Sequence, residues 1–93
     1  MLDPLRDQRE DLLSFPCPFA IKAMGIAGED FDGLVAGIIR RHAPNLGEAA
    51  VATRFSRGGK YVSVTVTILA ESRAQLDAIY RDLSAHERVY MAL

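Results

Sequence analysis

The chain has 93 residues, of which 49% are hydrophobic and 25% are charged, the ordinary composition of a folded globular protein. A chain of this length buries roughly 60–65% of its unfolded surface, so we expect one hydrophobic core and one domain. Lysine and arginine total 11 against 12 acids, and the resulting net charge of -1 disfavours a general attraction to nucleic acid or anionic lipid.

The cysteine content and the N-terminal residues bear on the compartment. Cys17 is the only cysteine, which excludes an intrachain disulfide and a paired-cysteine metal site and is typical of a reducing compartment. Residues 1–10 contain five charged side chains and a proline instead of a basic patch followed by an apolar stretch. No apolar run has membrane-spanning length. We therefore predict a cytoplasmic protein.

The first part of the chain predicts an arm followed by a strand. Residues 1–14 are predicted as an N-terminal arm or short helix opened by Asp3-Pro4, and residues 15–93 as a single domain. Over 19–26 the side chains alternate, with Ile21 and Ala23 on one side and Lys22 and Met24 on the other. This alternation is typical of a strand.

The middle of the chain predicts a helix and a hairpin. From Asp30 to His42, apolar residues recur every three or four positions, and Pro44 ends the predicted helix. Residues 48–56 predict a strand of small residues, and the glycines within 56–60 favour a hairpin turn. The next strand alternates most clearly, with Val62, Val64, Val66 and Ile68 facing one way and Tyr61, Ser63, Thr65 and Thr67 the other.

The last third predicts a capped helix and a terminal strand. Ser72 and Gln75 form a capping box, followed by an apolar stripe of Leu76, Ile79, Tyr80 and Leu83. In the last predicted strand, Val89, Met91 and Leu93 alternate with Arg88, Tyr90 and Ala92.

The resulting order β-α-β-β-α-β predicts an α+β, ferredoxin-like sandwich. Its four-stranded antiparallel sheet has the strand order 4-1-3-2, and two helices cover one face. The uncovered face should carry Lys22, Met24, Tyr61, Ser63, Thr65, Thr67, Arg88 and Tyr90.

Residues spread over the predicted domain resemble the YbeD-like family, a bacterial group of unknown function. The residues that carry this resemblance are Phe15-Pro16, Phe19, Lys22, Met24-Gly25, Arg41-His42-Ala43-Pro44, Gly59, Tyr61, Ser63, Thr67 and Tyr80. The resemblance implies a ferredoxin-like fold similar to the ACT domains that regulate amino-acid enzymes, and it implies no established activity, ligand or catalytic residue.

One group of polar residues is the candidate binding site. Lys22, Tyr61, Ser63, Thr65 and Arg88 combine two cations with hydroxyl groups, which is the chemistry that holds a carboxylate or an acidic partner loop. The alternative is that these side chains are only a solvated sheet face.

Catalysis, cofactor binding and metal binding are not predicted. Nothing in the sequence places a nucleophile beside a base, His42 and His86 fall on different elements, and Cys17 has no basic neighbour to activate it. His42 is explained by helix capping and packing, with ligand binding as the alternative.

We therefore predict a non-catalytic regulatory or adaptor module that binds a small metabolite or a protein partner. The second and fourth strands lie at the sheet edges. Because unpaired strand edges can pair with a second copy of the chain, we predict self-association into a homo-oligomer such as a dimer. The alternative function is single-stranded RNA binding through Tyr61 on the uncovered face, although Ser63 and Met24 replace the further aromatic residues expected there. An enzymatic function is the third and least favoured alternative, since no residue suggests a substrate.

Overall fold

The computed structural model describes residues 13–47 and 50–93. Residues 1–12 of the predicted arm, and residues 48 and 49 at the start of the predicted second strand, lie outside this part. In chain order the elements are β1 (Cys17–Ile26), α1 (Phe31–Arg40), β2 (Val51–Phe55), β3 (Tyr61–Ala70), α2 (Arg73–Ala85) and β4 (Met91–Ala92).

The sheet confirms the predicted topology. Its order is β2-β3-β1-β4, and all neighbouring strands are antiparallel. β1 and β3 pair along their whole length, from Cys17 opposite Ala70 to Ile26 opposite Tyr61. This central pair fixes which side chains share a face, because residues opposite each other in a ladder point to the same side.

One core lies between the sheet and both helices. The alternating residues of β1 and β3 and the apolar stripes of α1 and α2 belong to a single buried cluster that includes Ile21, Ala23, Val35, Ile39, Val64, Val66, Ile79 and Leu83. Both helices therefore cover the same face of the sheet, as the hydrophobic periods predict. In residues 13–47 and 50–93, no helix packs on the opposite face.

The start of α2 forms a capping arrangement that differs from the predicted one in one bond. The Gln75 N–H donates to Ser72 Oγ over 3.1 Å, as expected. The Gln75 side-chain oxygen, however, accepts from the N–H of Glu71 at 2.7 Å instead of from Ser72. Its amide nitrogen donates to the carbonyl of His42 at 2.8 Å. Gln75 thus joins the start of α2 to the end of α1.

The alternation predicted for the last strand is wrong at its end. Ala92 lies opposite the buried Ala23, and Met91 lies opposite Met24 on the uncovered side. The N–H of Tyr90 donates to the same Met24 carbonyl at 2.8 Å, so Tyr90 and Met91 both face Met24. An extra residue of this kind is a β-bulge, and it reverses the side on which the following residues lie. Val89 is therefore buried, whereas Met91 is exposed.

Candidate binding face of the sheet

The candidate site is the sheet face opposite the helices, which we call the open face. The ladders assign to it the alternate positions 18–26 of β1, positions 61–69 of β3, Ala52 and Arg54 of β2, and Met91 of β4. None of the β1 and β3 positions on this face is buried, whereas the core-side positions of β3 all are. The open face is accessible along the described sheet.

Four of the five predicted site residues lie on the open face. Lys22 is directly opposite Thr65, at the centre of the sheet, and Ser63 is opposite Met24. Tyr61 is two residues further along β3, opposite Ile26. The Ser63 hydroxyl is 3.4 Å from the Arg54 carbonyl, to which it donates. The predicted binding role of these residues remains a prediction, but their shared face is a feature of the fold.

Arg88 does not lie with them. Its guanidinium carbon is 5.7 Å from the centre of the Phe31 ring, and one of its nitrogens donates to the Glu29 carbonyl at 3.0 Å. Both contacts fix Arg88 against the loop between β1 and α1. Strict alternation put Arg88 on the open face, but it precedes β4 and its side chain turns towards α1. The predicted pair of cations is therefore not assembled around Tyr61 and Ser63.

An apolar groove crosses the open face near the end of the sheet. It encloses about 340 Å³. Its wall runs from Arg54 across Tyr61, Ser63 and Met24 to Tyr90 and Met91. Tyr90 is 61% exposed and Met91 is 52% exposed, so two large side chains border the groove without being packed. The volume of this groove and its largely apolar lining are within the range of protein binding sites, roughly 300–1,000 Å³.

The open face is also positive. The four described strands contain no aspartate or glutamate, and their charged side chains are Lys22 and Arg54. The hairpin between β2 and β3 adds Arg57 and Lys60, and the Lys60 ammonium lies 5.4 Å from the centre of the Tyr61 ring. The described acids lie in the helices and loops. A partner of the open face would therefore meet positive charge.

His42 is hydrogen-bonded to Asp82 on the helix side of the molecule. Its Nε2 is 2.7 Å from Asp82 Oδ2, which links the end of α1 to α2. This hydrogen bond, with smaller contributions from the charges of His42, Arg41 and Arg81, holds the pKa of Asp82 below its usual value. The contact fits the predicted role of His42 in packing at the helix end.

The described residues contain neither a metal-binding cluster nor a membrane-spanning helix. No group of three or more His, Cys, Asp or Glu side chains could hold a metal ion across residues 13–47 and 50–93. Nor does that part of the chain contain a helix with the length and apolar character needed to cross a bilayer.

The family follows from a comparison of the sequence with known families. The model of a family of proteins of unknown function, DUF493, matches residues 10–93. The chain belongs to the DUF493 family. This result confirms the resemblance noted from Met24-Gly25 and Arg41-His42-Ala43-Pro44, and it assigns no activity.

Individual relatives agree with this assignment. A UPF0250 protein of Chromobacterium violaceum is 42% identical over 89 residues, which cover 96% of this chain and 100% of the relative. A UPF0250 protein of Ectopseudomonas mendocina is 46% identical over 88 residues, covering 94% of this chain and 96% of the relative. The solution structure of protein HP0495 from H. pylori matches with a TM-score of 0.66 at 12% identity, over 87% of this chain and 85% of that one. The last likeness concerns the fold alone.

For this DUF493 member, sequence reasoning missed Arg54 and Met91 as residues of the open face. Arg54 was missed because the second strand was treated only as an edge, although its alternation with β3 places Arg54 opposite Ser63. Met91 was assigned to the core because a bulge cannot be seen in an apolar alternation. Apart from Glu48 at the start of the predicted second strand, no acid falls in the predicted strands, and this signal was available in the sequence.

Proposed function

We propose that the chain is a non-catalytic adaptor module that binds a segment of a partner protein, carrying apolar side chains and carboxylates, on the open face. The observation that carries this proposal is an apolar groove on a sheet surface where the charged residues of the described strands are all positive. Methionine and tyrosine side chains adapt to varied apolar groups, which suits the binding of a protein segment. Arg54, which lines the groove, and Lys22, on the same face, would pair with carboxylates of that segment.

A small metabolite is less well supported as the ligand. The predicted carboxylate site required Arg88 beside Tyr61 and Ser63, and Arg88 is bonded instead to the Glu29 carbonyl. The groove is open and its lining is mainly apolar, with Met24, Tyr90 and Met91 at one end, so it offers a small charged ligand few polar partners.

Single-stranded RNA is the second candidate, favoured by the acid-free strands and by the exposed ring of Tyr61. Two observations weigh against it. The Lys60 ammonium lies over the Tyr61 ring, where a base would stack. At the neighbouring positions Met24 and Ile26 stand in place of aromatic rings, so the face has no second stacking platform on β1.

A peptide-display selection tests the proposal. The immobilised full chain is offered random peptides, and the retained peptides are measured against the variants Met91→Ser and Leu69→Ser. Met91 and Leu69 are similarly exposed, at 52% and 57%, and both lie on the open face, but only Met91 borders the groove. Leu69→Ser is therefore a matched control for loss of an exposed apolar side chain.

The expected result is a set of peptides that share apolar and acidic residues and lose affinity for Met91→Ser but not for Leu69→Ser. At 100 times Kd such a peptide would stabilise the fold by about 2.7 kcal/mol, which thermal unfolding detects readily. The proposal is wrong if no common peptide emerges while an amino acid, another metabolite or a short RNA raises the melting temperature of the same protein.

A further inference from the structure

The outer edge of β2 is the second unusual feature beside the groove. Among residues 13–47 and 50–93, β2 lies at one edge of the sheet and pairs only with β3. The N–H of Ser56 donates to the Tyr61 carbonyl, which sets the alternation of bonded pairs along this ladder. The backbone N–H and C=O groups of Ala52 and Arg54 then point towards β3 and bond to it. Those of Thr53 and Phe55 point outward, away from the sheet. These outward groups are a template for another strand.

This edge has few of the features that usually prevent strand pairing. β2 contains no proline, and its one charged side chain, Arg54, lies on the open face opposite Ser63, where a carboxylate on an added strand can pair with it. Residues 52–55 are all exposed. Phe55 is 62% exposed although it lies opposite the buried Val62, because the core does not extend over this corner. An added strand would cover the Phe55 ring.

The charges beside the edge decide which strand fits. A segment paired with β2 would have the side chain opposite Arg54 on the open face, and its neighbours on the side of Thr53 and Phe55. Acidic residues suit the first position and apolar residues the second. A second copy of this chain would bring another Arg54 to the same positive face, with no carboxylate on either described set of strands to pair with it.

From these features we infer that the partner segment binds in extended form, as an added strand on the outer edge of β2, with alternating acidic and apolar residues. This inference rests on the proposed function, because it names the conformation and chemistry of the segment that the module takes. The added strand would pair beside the groove, whose border begins at Arg54, Phe55 and Ser56. Its apolar side chains would cover the Phe55 ring on the helix side, so the groove itself would take apolar residues of the same segment beyond the paired stretch. Backbone hydrogen bonds would supply affinity and the alternation would supply specificity.

The test uses a defined probe, a fluorescein-labelled peptide of alternating glutamate and valine, and its counterpart of alternating lysine and valine. Binding to the full chain is followed by fluorescence anisotropy. We expect the glutamate peptide to bind at least about tenfold more tightly than the lysine peptide, because charge pairs across a ladder are favourable and like charges are not. In the variant Arg54→Glu the difference between the two peptides should shrink or reverse.

Strand addition itself is tested in two ways. Thr53→Pro removes an outward N–H, not a bond to β3, and should reduce binding of the glutamate peptide at least about tenfold. Peptides N-methylated at alternate residues leave the protein unchanged and so avoid any effect on folding. Methylation in one register should abolish binding, and methylation in the other register should be tolerated, which only a paired strand predicts.

The outcomes separate this inference from the proposed function. If peptides selected on the full chain lose affinity for Met91→Ser but bind Thr53→Pro normally and tolerate both methylation registers, the groove binds a partner and the strand inference is wrong. If the glutamate peptide does not bind, the inference is also overturned. Two competing occupants would then be identified directly: a dimer in light scattering that Thr53→Pro disrupts, or salt-sensitive binding of a labelled single-stranded RNA.

Discussion

The close approach of β1 to the segment before β4 can be tested at Gly25. A Cβ added at Gly25 would overlap the carbonyl oxygen of Arg88 and would lie 2.8 Å from Cε1 and 2.9 Å from Cζ of the Phe31 ring. Non-bonded carbon atoms pack best at about 3.5–4.0 Å, so the ring would have to move by roughly 1 Å. The Arg88 carbonyl belongs to the backbone and can yield only if the segment before β4 moves. Overpacking of this kind costs about 1–3 kcal/mol.

Thermal unfolding measures this cost. For a domain of this size, the loss corresponds to a melting temperature lower by about 4–24 °C in Gly25→Ala. Gly37→Ala is the matched control, since Gly37 lies within α1 and an added Cβ there meets no atom within 4 Å. Alanine in a helix interior is favoured over glycine by about 0.5–1 kcal/mol, so this variant should be more stable than the natural chain. If Gly25→Ala were as stable as the natural chain, the described contact between Arg88, Phe31 and β1 would be refuted.

Three further predictions concern single contacts. The pKa of Asp82 lies below its usual 3.8 because of the bond to His42, so the stabilisation is present above that value and is lost as the pH falls through the folded-state pKa. The difference in melting temperature between the natural chain and Asp82→Asn should therefore be present at about pH 5 and close below about pH 3.8; a difference independent of pH would contradict this. Ser72→Ala should cost about 1 kcal/mol in denaturant unfolding by loss of the helix cap, and an unchanged midpoint would show that the cap does not contribute. Gly59 has a φ of 75°, so Gly59→Ala should cost about 1–2 kcal/mol, whereas Gly58→Ala should cost less in the same assay.

The topology could be predicted because several local patterns agreed with one another. Val62, Val64 and Val66 alternate with polar residues over a strand that is buried on one side only. The hydrophobic period therefore predicted correctly both the strand and its buried face. The cap at Ser72 and the turn at Gly59 then placed the boundaries. Residues that carry both local propensity and a tertiary role are the ones for which sequence reasoning works.

The candidate site was less predictable, because its geometry depends on contacts between distant residues. The bulge at Tyr90 and Met91 exists only through the Met24 carbonyl, which lies on another strand. The direction of Arg88 is set by Phe31 and by the Glu29 carbonyl, 59 residues away in the chain. Neither the bulge nor the direction of Arg88 can be inferred from the alternation of the last strand. As a result, the predicted site loses one cation, Arg88, and the open face gains Met91.

The net charge also requires a different interpretation once the fold is known. A value of -1 argues against a general attraction of the whole molecule to anions. Charges are screened over about 8 Å at physiological ionic strength, so a ligand on the open face responds mainly to the charges nearest to it. Those of the described strands and hairpin are Lys22, Arg54, Arg57 and Lys60, while the described acids lie on the helices and loops. A nearly neutral chain can therefore present a locally positive face, and we expect added salt to weaken the proposed binding of an acidic segment although the isoelectric point gives no sign of it.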